Sequence, residues 1–208
     1  MIFANRADAG KQLAAKLLRY SGPQTQVLAL PRGGVPVGYE VARALGVPLD
    51  VFIVRKLGAP GREELAMGAI ASGGVRVLND DTIDALGISS GDIKAIADRE
   101  LLELQRREAA YRAGRPPLDV KGKNVILVDD GLATGASMQA AILALRRAAP
   151  QRIIAAVPVA PEETCAMLAR FADEMVCLAM PRPFRGVGAW YDDFRQVTDD
   201  EVRALLVE

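Results

Sequence analysis

Val125-Ile126-Leu127-Val128-Asp129-Asp130-Gly131-Leu132-Ala133-Thr134-Gly135-Ala136-Ser137-Met138 is the stretch from which the rest of the chain is read. A short β-branched apolar run predicts a buried strand over Val125–Val128, and the pattern after Ser137 predicts a helix to about Ala148. Two adjacent acids stand at the strand end, followed by a loop of small and hydroxyl residues. A helix N-terminus with free backbone N–H groups and nearby Thr or Ser hydroxyls suits a phosphate. Gly131 and Gly135 let the backbone come close to a ligand. Carboxylates beside a phosphate make chemical sense when a sugar lies between them and donates its hydroxyls to Asp129 or Asp130. Successive strand residues point to opposite faces, so both acids reach one ligand only if the backbone bends there. The stretch has no Walker lysine and no GxGxxG spacing, which argues against a P-loop and a dinucleotide site.

Outward from this stretch, strands and helices alternate. Val27–Leu30 reads as a strand before a helix over Val35–Leu45, and Leu49–Leu57 as a second strand. Ile153–Val159 precedes a helix over Glu162–Phe171, and Met175–Leu178 reads as the last strand. Continuous apolar strands joined by helices predict an α/β fold, a parallel twisted sheet with helices on both faces. Ligands of such sheets sit at the carboxyl ends of the strands. Two regions break the alternation. Leu65–Leu78, with Gly68, Gly73 and Gly74, predicts an antiparallel ribbon. Ser89-Ser90-Gly91-Asp92 then opens a charged helix to about Tyr111, with Glu103–Arg107 and Glu108–Arg112 at ion-pair spacing. Its narrow stripe of Ile93, Ile96, Leu101 and Leu104 reads as a solvated helix lying on the domain, with a partner-binding helix as the alternative. Gly114-Arg115-Pro116-Pro117 reads as a stiff connection.

The chain of 208 residues is half apolar and a quarter charged, enough for one domain with a substantial core. Its 26 basic and 26 acidic residues balance, without the basic surplus of a general nucleic-acid binder. The chain has no histidine, which removes Ser-His-Asp catalysis and His metal sites. Cys165 and Cys177 sit in apolar stretches and read as structural thiols. No apolar run approaches the roughly 20 residues of a membrane span. Met1–Tyr20 reads as an amphipathic helix with Leu13, Leu17 and Leu18 inward, not a targeting peptide, and a cytoplasmic protein is expected.

Val128–Ser137 resembles the phosphoribosyl-pyrophosphate signature of the type I phosphoribosyltransferases. Two further matches stand in order: Leu30-Pro31-Arg32-Gly33-Gly34-Val35-Pro36-Val37-Gly38 resembles the family's pyrophosphate loop, and Val54-Arg55-Lys56-Leu57-Gly58 resembles the basic pair after its second strand. The resemblance runs from about Val27 to Leu178 and weakens at the charged helix. It implies that Asp129 and Asp130 hold the ribose hydroxyls and that Ala133, Thr134, Gly135, Ala136 and Ser137 hold the 5′-phosphate. Arg32, Gly33, Arg55 and Lys56 would face the pyrophosphate, and an unusual cis peptide is expected next to Arg32. It further implies a single domain over 1–208, with a flap and helical insert at about 64–117 and a hood over the base at about 181–198. No flap residue can be matched; the ribbon and the Arg112–Pro117 connection are expected to form it.

Phe184, Trp190, Tyr191 and Phe194 crowd the expected hood. Trp190 and Tyr191 are candidate base-binding rings, and the competing reading makes the cluster the hood's own core. Asp192 and Asp193 fit a base contact or a solvated surface equally, and Thr198-Asp199-Asp200-Glu201 reads as a capping box. The implied reaction moves a 5-phosphoribosyl group from phosphoribosyl pyrophosphate to a nitrogenous base, a purine among the candidates, with Mg²⁺ held mainly by substrate oxygens and water. The expected partners are these small molecules, and a homodimer is common in the family. Two rival readings remain: a non-catalytic regulator that binds the donor, and an enzyme using a ribose phosphate without a base.

Overall fold

A computed structural model describes residues 3–207, apart from the side chain of Glu64. Met1 and Ile2, included in the N-terminal helix reading, lie outside the described residues. Five parallel strands form the main sheet in the order β2-β1-β6-β7-β8: β1 (Thr25–Ala29), β2 (Leu49–Val51), β6 (Asn124–Val128), β7 (Arg152–Val159) and β8 (Glu174–Ala179). Alternate residues of β6 serve the two faces, as the period of a strand requires. Ile126 and Val128 pack with Leu13, Leu17, Val37 and Val41 of α1 (Arg6–Leu17) and α2 (Gly34–Leu45). Val125 and Leu127 pack with Met138, Ile142 and Leu168 of α5 (Ala136–Arg147) and α6 (Glu162–Leu168). Both faces are therefore covered, and the strand ends are left to build a site.

The expected single strand over Leu49–Leu57 is two strands in two sheets. β2 ends at Val51, and β3 (Val54–Ala59) begins an antiparallel sheet with β4 (Arg62–Ala71) and β5 (Val75–Leu78). The handover is made by hydrogen bonds: Phe52 N donates to Ala29 O of the first sheet at 3.0 Å, and Ile53 exchanges bonds with Ser72, N to Oγ at 2.9 Å and Ser72 N to Ile53 O at 2.8 Å. Val51, Phe52 and Ile53 are buried on both sides of the corner, so hydropathy runs through it without a break. The expected ribbon is thus a three-stranded sheet beginning at Val54.

This second sheet is covered on both faces. Leu57, Met67 and Ile70 meet Ala97, Leu104 and Tyr111 of α4 (Ser90–Arg112), while Ala71 joins the cluster around α5. A short α3 (Asp80–Leu86) precedes α4, whose N-cap Ser89 accepts from Asp92 N at 3.1 Å. The expected Glu103–Arg107 pair is present at 2.8 Å. The expected Glu108–Arg112 pair is replaced: Arg112 makes a two-pronged bond to Asp50, both at 3.0 Å, because that buried carboxylate has the greater need of a cation. Leu18 is also corrected. The α-helix stops at Leu17, Leu18 is 55% exposed at the start of a 3₁₀ turn, and Tyr20 takes the inward position.

The segment read as a hood is tied to the residues that precede α1. Phe3 N donates to Trp190 O at 2.8 Å, and Asp192 N to Phe3 O at 2.8 Å. Phe3 and Tyr191 are buried with ring centroids 5.4 Å apart, and Tyr191 lies 5.0 Å from Phe194. α7 (Asp199–Val207) packs Val202 and Leu206 into the cluster shared with α4. It opens on the expected capping box, with Glu201 N on Thr198 Oγ at 3.2 Å and Thr198 N on the Glu201 carboxylate at 2.9 Å. Cys165 is buried, Cys177 is half-buried, and both are free thiols. Among the described residues no helix is long and apolar enough to cross a membrane.

Candidate active site

The two acids stand where β6 leaves the sheet. Asp130 N donates to Asp129 Oδ1 at 2.9 Å, so the backbone bends and both carboxyl groups turn to the same neighbourhood. They lie against the loop between β1 and α2. A Cβ placed on Gly33 would sit 2.0 Å from Asp130 Oδ2, and one on Gly34 would sit 2.7 Å from Val128 O and 3.3 Å from Asp129 Oδ1. Two glycines in succession let this loop lie directly on the acids. The peptide between Pro31 and Arg32 is cis.

The acids differ in surroundings. Burial, and next the charge of Asp130, push the Asp129 carboxyl well above the usual carboxylate range. Burial also raises Asp130, but Arg6 opposes it, its Nε donating to Asp130 Oδ2 at 2.7 Å. From the other side the Tyr191 hydroxyl donates to the Asp130 carbonyl at 2.5 Å.

Beyond the acids, the loop enters α5 with Ala133, Thr134, Ala136 and Ser137 exposed to solvent. Gly135 is the N-cap with φ 76°, a left-handed conformation that suits glycine. It is also hemmed in, since a Cβ there would meet Thr164 Cγ2 at 2.8 Å. Thr164 is buried and donates its hydroxyl to Ala133 O at 2.8 Å, which fixes the loop from below. The first-turn N–H groups of α5 are thereby offered at the same sheet edge as the acids.

The basic residues are more dispersed. Arg32 is 3.5 Å from Asp199 of α7, and Asp199 also accepts the Tyr111 hydroxyl at 2.6 Å. Burial, then this hydrogen bond, raises the Tyr111 phenol to about 12. Arg55 turns towards α4, with Nε at 2.9 Å and Nη2 at 2.7 Å from Glu100 Oε2. Lys56 follows on the opposite side of β3 and is exposed. The structure therefore gathers Asp129, Asp130, Gly33, Tyr191 and the Ala133–Ser137 loop, with Arg32 at the margin, and faces Arg55 away. Tyr191 acts as part of the hood core and as a support for Asp130. Trp190 packs at the edge of that core with its indole Nε1 buried and, among the described residues, without a hydrogen-bond partner.

Three contributors escaped the sequence reading. Arg6 opens a charged helix, and no local pattern links it to an acid 124 residues away. Thr164 is one polar residue in an amphipathic helix, and Glu100 is one acid among many in α4. Pairing across such distances leaves no periodic trace.

The model of the phosphoribosyl transferase domain matches residues 1–177, a span that takes in both acids and most of β8. The chain belongs to the phosphoribosyl transferase domain family. A Mycobacterium tuberculosis H37Rv protein named "Putative phosphoribosyl transferase Rv0571c" is 47% identical over 205 residues, covering 99% of this chain and 46% of the relative. Its counterpart in strain CDC 1551 matches equally. The chain thus spans about half the length of the curated relatives it matches. The crystal structure of TT1426 from Thermus thermophilus superposes with a TM-score of 0.91 at 44% identity, covering 100% of this chain and 98% of that one. The fold of TT1426 is therefore shared along the whole of this chain, α4 and α7 included.

Proposed function

We propose that this phosphoribosyl transferase domain moves the 5-phosphoribosyl group of phosphoribosyl pyrophosphate to a nitrogenous base. The observation that carries the reading is the convergence of Asp129 and Asp130, the Gly33–Gly34 loop and the N-terminus of α5 on one sheet edge. Each of these meets a different part of one donor. The acids accept the ribose hydroxyls, and the exposed N–H groups and hydroxyls of Ala133–Ser137 hold the 5′-phosphate. The Arg32–Gly33 loop, with Lys56 and a reoriented Arg55, receives the pyrophosphate. The bond from ribose C1 to the pyrophosphate oxygen breaks with its electron pair leaving on that oxygen. A lone pair on the acceptor nitrogen forms the new bond to C1, and the proton that the nitrogen loses passes to the departing pyrophosphate, whose oxygen took the electron pair. Positive charge grows on the ribose ring between the two steps, where the acids next to it are stabilising.

The donor atoms at this edge are carboxylate oxygens, hard ligands that accept a hydrated Mg²⁺ on its substrate. Mg²⁺ held by pyrophosphate oxygens and water would supply charge neutralisation on the leaving group. The acceptor side is bounded by the hood. With Phe3 and Phe194 each packed at a tilt against Tyr191, the rings serve the hood's core, and Trp190 at its edge is the residue left to meet a base.

Calorimetric titration with phosphoribosyl pyrophosphate, with and without Mg²⁺, tests the donor site, followed by a screen of bases for pyrophosphate release. Mg²⁺-dependent binding and release with one base class are expected. Silence towards both phosphoribosyl pyrophosphate and ribose 5-phosphate would overturn the proposal. Donor binding without release by any base would favour a regulator.

A further inference from the structure

Asp130 is held from the hood as well as from the sheet. Arg6 donates Nε to Asp130 Oδ2 at 2.7 Å and Nη1 to Arg195 O at 2.8 Å, and its guanidinium lies 3.9 Å above the Phe194 ring. One planar side chain thus touches the acid, the hood backbone and a hood ring. Tyr191 adds a second link, through its hydroxyl to the Asp130 carbonyl, while its own ring stacks between Phe3 and Phe194. The Arg6 and Asp130 side chains are 11% and 14% exposed, so this is not a solvated pair whose loss would go unnoticed. A carboxylate this buried, beside a second acid, needs a fixed cation to stay ionised and in one orientation.

We infer that Arg6 is a positioning residue that couples the hood to the ribose-binding acid, fixing Asp130 Oδ2 so that the carboxylate meets the donor's hydroxyls in a single pose. The inference rests on the donor site proposed above and assigns the hood a part in donor recognition as well as in covering the acceptor. The geometry requires an arginine. A lysine supplies the charge but lacks the fork and flat face that reach Asp130, Arg195 O and Phe194 together. A displacement of Phe194 and Arg195 would remove two of the three contacts that fix the Arg6 guanidinium on Asp130 Oδ2.

The test is a calorimetric cycle with phosphoribosyl pyrophosphate and Mg²⁺ on the wild type, Arg6→Gln, Asp130→Asn and the double variant, with Arg6→Lys alongside. Folding is checked by circular dichroism. Arg6→Gln is expected to bind the donor at least roughly tenfold more weakly, Arg6→Lys to fall between it and the wild type, and the Asp130→Asn background to remove the effect of Arg6→Gln. A purely structural arginine would weaken binding by the same factor in both backgrounds, and that result overturns the inference. So does a folded Arg6→Gln that binds as the wild type does. Should Arg6→Gln fail to fold, Arg6→Lys and Tyr191→Phe decide. The latter removes one hydroxyl and keeps the ring stack. Each is expected to bind at least roughly threefold more weakly, and wild-type affinity in both overturns the inference. A wild type that ignores the donor sinks the proposed function and this inference with it, whereas a binding wild type with unaffected variants sinks the inference alone.

Discussion

Substituting Gly33 by alanine isolates the contact between the β1–α2 loop and the acids. Gly33 has φ −60° and ψ −34°, a conformation open to any L-residue, so the added methyl brings no backbone strain. It brings a collision. The new Cβ would lie 2.0 Å from Asp130 Oδ2 and 2.6 Å from its Cγ, against a comfortable heavy-atom separation of roughly 3.5 Å. Either the loop lifts or the carboxylate swings by more than about 1 Å, and Oδ2 is the atom that Arg6 holds at 2.7 Å. Overpacking of this kind costs about 1–3 kcal/mol. Donor affinity should fall at least roughly tenfold, equivalent to about 1.4 kcal/mol, since the acid is displaced from the sugar. Urea unfolding followed by fluorescence of Trp190, the single tryptophan, reads the stability, and calorimetry reads the donor. Gly91→Ala is the control: its nearest neighbour outside the helix backbone is Ser89 Oγ at an ordinary 3.6 Å, and a helical alanine there should be neutral or stabilising by up to about 1 kcal/mol. A Gly33→Ala protein with an unchanged urea midpoint and full donor affinity would refute the packing argument.

Asp129→Asn combined with Asp130→Asn should abolish measurable donor binding while the circular dichroism spectrum is kept, because both residues stand at a strand end outside the apolar core. The pH dependence of stability should carry the mark of Asp129. Its folded carboxyl titrates well above the unfolded value of about 3.8, so the native state holds the extra proton between those two points. The stabilisation is complete below the unfolded value and is lost as pH rises through the folded one. The difference in unfolding free energy between the wild type and Asp129→Asn should therefore shift against the wild type as pH increases, and a pH-independent difference would contradict it. Thr164→Val should cost on the order of 1 kcal/mol for the lost bond to Ala133 O and, on the proposed donor pose, should weaken donor binding through the Ala133–Ser137 loop, as measured by thermal unfolding and calorimetry. Asp50→Asn should destabilise the chain by removing the shared partner of Arg112 and Arg115, and a melting temperature equal to the wild type would contradict that.

The strands and helices of the main sheet were legible because their apolar patterns are local. Val125–Val128, Ile153–Val159 and the helix after Gly34 each carry their own period, and the acids followed by the Gly135 loop carry their own chemistry. The corner at Phe52–Ile53 was illegible because burial is continuous on both sides of it, so two strands read as one. The Arg112 pairing was misread for a related reason. Spacing names the partner on the same helix, whereas the structure offers a more deeply buried one on β2. At the site, the acids, Gly33 and the Ala133–Ser137 loop lie in sequence motifs, but their supports do not. Arg6, Thr164 and Glu100 act through tertiary contacts, and nothing in their neighbours distinguishes them from ordinary surface or helix residues.

The bond between Arg6 and Asp130 spans 124 residues, and that between Arg6 and Arg195 spans 189. A chain growing from its amino end can pair β1 with β2 early, but Arg6 has no hood to bind until Phe194 and Arg195 have been made. Loop-closure entropy also delays contacts of such high sequence separation when the whole chain refolds. Asp130 thus reaches its final setting after the strands around it, once Phe194 and Arg195 are in place. Refolding followed by donor binding should lag behind refolding followed by circular dichroism. A nascent or truncated chain that already holds the parallel sheet remains unfit to take up a sugar phosphate until its two ends have met.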